Sequence, residues 1–263
     1  VLNNGCHLDL NPLKISGLKY KLDLENFKEL AKNPRTSMFI LCSPHNPAGR
    51  VWTREELREL GEICLNEDVF ILSDELHSDL IMPGFKHVPF ASISEDFANN
   101  SITVIAPSKT FNLPGLQATV LIIPNPKIKL KFQNVMARNS TPELNIFAVK
   151  ALEVAYNNCA DWLEEVILYI HENYKFLASE LNKNLPDVKI FPMEGTYLSW
   201  MDFSKYESDF KILEKRMLCD AKLWLDEGYI FGEQGKLFER MTLACPRAYI
   251  IEAVKRLSQT FKK

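Results

Sequence analysis

Hydrophobic positions in the first half of the chain fall in short unbroken runs, each ending in polar residues. Met38–Cys42 (MFILC) leads into Ser43-Pro44-His45-Asn46-Pro47, and Val69–Leu72 (VFIL) into Ser73-Asp74-Glu75. Ile102–Ala106 (ITVIA) is followed by Pro107-Ser108-Lys109, and Thr119–Ile123 (TVLII) stops at Pro124. Runs this short, rich in Val, Ile and Phe, predict strands buried on both faces. Between the first two runs the period changes. Within Thr53–Asn66, Leu57, Leu60, Ile63 and Cys64 make one apolar stripe at helical spacing, and Thr53 with Glu56 is a capping-box signature. Strand, helix and strand of these lengths form a βαβ unit. Leu24–Lys32 predicts a helix placed before the Met38 run in the same way.

The second half reads differently. Pro142–Tyr156 and Asp161–Asn184 predict helices, the second carrying Trp162, Val166, Ile170, Tyr174, Leu177 and Leu181 on helical spacing, with Pro186 closing it. Strands are expected at Val188–Phe191, Thr196–Met201 and Arg240–Leu243, and helices at Ser208–Glu227 and Arg247–Phe261. Gly228, Gly232 and Gly235 punctuate the loop between. The pattern is that of an α/β chain whose first part, 1–160, is built on buried strands. A smaller α+β domain is expected over 161–263.

Composition narrows the function classes. The 263 residues are 46% hydrophobic and 25% charged, enough for a real core and unlike a disordered chain. A net charge of −3 disfavours a nucleic-acid partner, which needs a basic face. No apolar run approaches the roughly 20 residues of a membrane span. The six cysteines contain no C-x-x-C pair, which argues against a zinc site or redox motif, so no metal is expected. Scattered thiols of this kind suit a reduced, cytoplasmic setting. The chain starts at Val1 without a signal peptide, and its abrupt beginning suggests a piece of a longer protein.

Ligands of open α/β sheets bind beyond the carboxyl ends of the strands. Here those ends deliver Asn46, Asp74 with His77 just beyond, and Lys109. Each alone has a plain structural reading: Asn-Pro-x-Gly at 46–49 as a turn, Asp74 as a cap, His77 as a packed imidazole, Lys109 as a solvated charge. Together, a lysine and a buried aspartate form the constellation that pyridoxal phosphate requires. A lysine in a dry cleft forms a Schiff base with the aldehyde, an aspartate keeps the pyridine nitrogen protonated, and an asparagine can donate to the phenolic oxygen.

Five strings carry a family resemblance: SPHNPAGRVWTREEL (43–57), SDELHSDL (73–80), APSKTFNLPGLQ (106–117), EGTYLSW (194–200) and RMTLACPR (240–247). On these, the sequence resembles the pyridoxal-phosphate-dependent fold-type I, class I/II aminotransferase superfamily, and within it the cystathionine β-lyase (C–S lyase) branch. The resemblance runs from residue 1 to about 260 and implies an aspartate aminotransferase-like fold. That fold has a three-layer α/β/α large domain, present here in part, and a small C-terminal domain. It implies that Lys109 is the Schiff-base lysine, Asp74 the pyridine-nitrogen partner and Asn46 the amide beside the phenolic oxygen. His77 stands where aminotransferases usually carry tyrosine. Ser108 would contact the phosphate and Arg240 the substrate α-carboxylate, as a two-pronged guanidinium contact; by itself Arg240 reads better as a surface charge on an edge strand. Gln117 departs from the family, which often has a phosphate-binding arginine there. The family's N-terminal part, with its phosphate cradle and ring-stacking aromatic, is not in this chain.

The resemblance implies α,β-elimination on cystathionine or cysteine-like amino acids, giving a thiol, pyruvate and ammonia, in a homodimer. An aminotransferase would use the same residues. An inert fragment or a regulatory cofactor-binding module is the non-enzymatic alternative.

Overall fold

The computed structural model describes residues 1–139 and 144–262. A hairpin of β1 (Lys14–Ser16) and β2 (Lys19–Lys21) precedes α1 (Leu24–Ala31), β3 (Met38–Cys42), α2 (Arg54–Asn66) and β4 (Phe70–Asp74). Then come α3 (Glu95–Asn99), β5 (Ser101–Ile105), the one-turn α4 (Pro107–Thr110), β6 (Val120–Ile122) and α5 (Pro126–Arg138). After them follow α6 (Ile146–Asn158), α7 (Ala160–Asn184), β7 (Lys189–Ile190), β8 (Leu198–Asp202), α8 (Phe210–Lys215), β9 (Asp226–Glu227), β10 (Phe238–Thr242) and α9 (Arg247–Phe261). The start of the helix expected from Pro142 lies outside the described residues, and α6 begins after its Asn145 cap.

The first sheet runs β3-β4-β5-β6, parallel except for β6, which pairs antiparallel with β5. The second, β7-β8-β10-β9, is antiparallel. The βαβ logic holds at β3-α2-β4. Thr53 Oγ1 accepts the Glu56 amide at 3.2 Å while Glu56 Oε2 accepts the Thr53 amide at 2.8 Å, the reciprocal capping box. The α2 stripe then packs with Phe27, Leu41, Ile71 and Phe97. Gly61 sits mid-helix because the Phe97 ring occupies the place a Cβ would take.

Burial on both faces, expected of all these strands, fails at β3 and at β6, where Ile122 is exposed. Phe39 and Leu41 face the α1–α2 core, while Met38 and Ile40 alternate to the other side and are each 51% exposed. α1 and α2 pack on one face of β3, and the other is left about half open. The helix expected over Ser208–Glu227 is also corrected. It stops as α8, continues as a single π turn (Arg216–Asp220), and breaks where Lys222 takes φ +53°. Asp226 and Glu227 are instead captured as β9 by pairing with β10. Tertiary pairing overrides local helix propensity there.

The second sheet packs on α7 and α9, with Ile170, Leu177, Leu181, Ile250 and Leu257 against Met201 and Met241. A third cluster joins the parts: Tyr20 and Ala48 meet Phe191, Trp200 and Phe238, and Trp200 Nε1 donates to the Tyr20 hydroxyl at 3.0 Å.

The strongest polar tie is Arg50. Its Nε donates to Tyr20 O at 2.9 Å, its Nη2 to both Glu56 carboxylate oxygens at 2.8 Å, and its Nη1 to Glu194. Glu194 Oε2 also accepts the Val51 amide at 2.9 Å, and Gly49 O accepts the amides of Glu194 and Gly195. Removing Glu194 leaves Arg50 paired with Glu56 but takes the carboxylate from its Nη1 and leaves the buried Val51 amide unpartnered. Glu194→Ala is expected to cost about 2 kcal/mol, read as a lower urea midpoint with unchanged slope.

Candidate active site

Register brings the strand ends side by side. Cys42 pairs with Asp74, and Asp74 with Val104. The chain beyond each end then supplies a functional group: Asn46 after β3, Asp74 and His77 at and after β4, and Ser108 and Lys109 on the turn of α4 after β5. Both X-Pro bonds of the first exit, Ser43-Pro44 and Asn46-Pro47, are cis.

Asp74 is partly buried, and Oδ1 accepts the Leu76 amide at 3.2 Å. Burial pushes its carboxyl above the usual range, while this hydrogen bond and Lys109 pull it back. His77 is buried, lies edge-on to Tyr197 at 5.6 Å between ring centres, and its Nδ1 has no partner. Burial first, then the charges of Lys109 and Arg240, lower its pKa to about 4, so the ring is neutral at physiological pH.

Lys109 lines a cavity of about 570 Å³ with Leu80, Trp162, Tyr169, Tyr197 and Thr242. The cavity therefore takes its walls from both the strand exits and the C-terminal half. Ser108 adjoins Lys109 on α4. Gln117 is exposed at the end of a short 3-10 turn, with φ +53°.

Arg240 reaches this group from the second sheet. Its Nη1 donates to Asn46 Oδ1 at 2.8 Å, which joins β10 directly to the exit of β3. It is not a bare edge-strand charge: β10 lies between β8 and β9, and Arg240 also pairs with Asp226. Asn46, Asp74, His77, Lys109 and Arg240 thus form one polar neighbourhood. Among the described residues no group of three or more His, Cys, Asp or Glu is placed to hold a metal ion.

Two residues escaped the sequence reading. Asp79 Oδ2 accepts from Thr110 Oγ1 at 2.8 Å and from the Tyr156 hydroxyl at 3.3 Å, tethering the lysine-bearing turn. It belongs to the SDELHSDL string, and a carboxylate at that spacing after β4 was the available signal. Asp226 carried no signal, because its segment reads as helix.

The sequence pattern that defines aminotransferase class I and II matches residues 8–257. The chain belongs to the aminotransferase class I and II family. Within that family it is 43% identical over 257 residues to cystathionine beta-lyase PatB of Bacillus subtilis (strain 168), covering 98% of this chain and 66% of that protein. Cystalysin from Treponema denticola, whose structure contains a pyridoxal 5′-phosphate cofactor, superposes with a TM-score of 0.91. It is 39% identical, over 94% of this chain and 63% of that one. A pyridoxal-phosphate-bound C–S lyase from Staphylococcus hominis superposes at 0.88 with 29% identity, over 95% of this chain and 61% of that one. The chain therefore spans less than two thirds of the length of these aminotransferase-family relatives.

The neutrality of His77 has a measurable consequence. Its folded pKa lies below the unfolded value, so the unfolded chain binds a proton first as pH falls. The stability this group contributes is complete above about pH 6.5 and is lost on the way down to about 4. His77→Gln is expected to remove up to about 3 kcal/mol of the acid-induced loss, read by urea unfolding at pH 7 and pH 4. No histidine signal with a pKa near 6.5 should disappear from the NMR titration of that variant.

Proposed function

We propose that the protein to which this chain belongs is a pyridoxal-phosphate-dependent C–S lyase that eliminates a thiol from cystathionine or a cysteine-like amino acid, leaving pyruvate and ammonia. The observation that carries the cofactor assignment is the meeting of Lys109, Asp74 and Asn46 at adjacent strand exits. The preference for elimination over transamination is supported by the 43% identity to a cystathionine beta-lyase.

The donor set fits the cofactor: an amine, a carboxylate, an amide and a buried imidazole whose Nδ1 is unpartnered. Lys109 would hold the aldehyde carbon, Asp74 the ring nitrogen, and Asn46 and His77 the phenolic-oxygen side. Ser108 would hold the phosphate. When bound, pyridoxal phosphate supplies an electron sink for the bond broken at the substrate Cα.

The rest falls to the chain's own side chains. Arg240 binds the α-carboxylate and so orients the Cα. Lys109 Nζ, once free as an amine, accepts the Cα proton and can return it to the departing sulfur. His77 stays neutral and adds no charge beside Lys109. Trp162, Tyr169 and Tyr197 line the cavity that Lys109 opens into and offer aromatic surface to the substrate side chain.

We further propose a homodimer, supported by exposed apolar side chains such as Met38, Ile40, Ile146 and Phe147. A cytoplasmic location is supported by cysteines that are all free. No helix among the described residues is long and apolar enough to cross a membrane. A division into a partial large domain at 1–160 and a small domain at 161–263 is supported by the break between α6 and α7 and by the two separate sheets.

The deciding experiment supplies cystathionine and pyridoxal phosphate, with no keto acid, to the chain and to its full-length parent. Pyruvate and free thiol in equal amounts are expected, and Lys109→Ala should lower the rate by at least about a thousandfold. Product formed only when a keto acid is added would assign an aminotransferase instead.

A further inference from the structure

A guanidinium has five N–H donors in a fixed plane. In Arg240 three are engaged. Nε and Nη2 both reach Asp226 Oδ2, at 3.0 and 2.7 Å, and Nη1 reaches Asn46 Oδ1 at 2.8 Å. The group also lies over the Phe231 ring, 4.5 Å from its centre, which fixes the plane itself. One N–H is left on each terminal nitrogen. That is the number a carboxylate takes in a two-pronged contact.

Asp226 therefore occupies the Nε–Nη2 edge of the guanidinium, and the two N–H groups still unpaired lie on Nη1 and Nη2. Asp226 is placed there by the register of β9 on β10, which sets it opposite Arg240. The strand holds its position through the backbone: Gly228 packs so tightly on Gly235 and Phe238 that no Cβ could be added. The ion pair is partly open to solvent, with side-chain exposures of 17% for Arg240 and 47% for Asp226. A pair in that setting adds little to fold stability. Its effect on direction is larger, because arginine is a long, rotamer-rich side chain whose recognition power depends on where its fork points.

We propose, resting on the assignment of Arg240 to the substrate carboxylate, that Asp226 is a positioning residue. It aims the unpaired N–H groups of Arg240 at the ligand and sets the affinity for the carboxylate group without touching it. Asn46 and Phe231 complete the same mount.

The test uses two ligands that cannot eliminate a thiol, L-alanine and ethylamine, the second lacking the carboxylate. They are titrated by calorimetry into the chain and its full-length parent, each saturated with pyridoxal phosphate. Asp226→Ala is expected to weaken L-alanine binding about tenfold or more, to leave ethylamine unchanged and to leave the thermal midpoint in place; Asp226→Glu should recover part of the loss. In the chain without cofactor, the Arg240 Nε–H proton should exchange slowly with solvent, and rapidly in Asp226→Ala. Arg240→Ala is the control. If it leaves the preference for L-alanine intact, the carboxylate assignment fails and the proposal with it. If Arg240→Ala abolishes the preference while Asp226→Ala changes nothing, the assignment stands and the positioning role is overturned. Tighter L-alanine binding in Asp226→Ala would also overturn it, since Asp226 would then be a competitor for Arg240.

Discussion

The buried ion pair between Arg50 and Glu194 joins residues 144 positions apart, and the geometry of the site depends on it. Charges out of water are costly unless their remaining hydrogen-bonding capacity is met. Here it is met by Tyr20 O, Val51 O and the Glu56 carboxylate on one side, and by the Val51 amide on the other. These groups belong to β2, to the segment leaving β3 and to α2, while Glu194 itself stands in the loop before β8. The pair therefore fixes the first sheet against the second at the height of the strand exits. The amides of Glu194 and Gly195 on Gly49 O, and of Thr196 on Leu80 O, extend the same seam.

That seam lets residues from distant parts of the sequence share one neighbourhood. Asn46 and Arg240 meet because the loop carrying Asn46 lies within the Arg50 network, and because β10 is central in the second sheet. Tyr197, two residues beyond Gly195, is carried to His77 and to the cavity of Lys109. On the other flank, Asp79 holds Thr110 beside Lys109. The lysine turn is thus tied to the exit of β4 as well as to its own strand. The proposed roles in holding a planar ring and a carboxylate at fixed angles require this kind of support.

Much of this was legible in the sequence where the signal is local. The capping box at Thr53, the Met38 strand and the Arg247–Phe261 helix each follow from period and end residues within a single segment. The strand-exit residues were legible too, because buried parallel strands announce themselves as apolar runs and their exits lie next in sequence. What could not be read is set by pairing at long range. The open face of β3 depends on which helices return to which side. The loss of helix at Asp226 depends on β10, which lies beyond a glycine-rich loop. Arg240 alone looked like a surface charge, since its partners Asn46 and Asp226 are 194 and 14 residues away. The roles of Asp79 and Glu194 fall in the same class: both stand in strings that carry the family resemblance, yet what each side chain holds emerges only in three dimensions.

We propose that Lys109, toward which the strand exits converge, is the covalent site for pyridoxal phosphate. Adding pyridoxal phosphate to the chain and to its full-length parent, reducing with borohydride and mapping the modified peptide by mass tests it most directly. A single reduced adduct on Lys109 is expected in both, suppressed by Asp74→Ala. A full-length parent that is unlabelled at Lys109, or labelled at other lysines to the same extent, would contradict it.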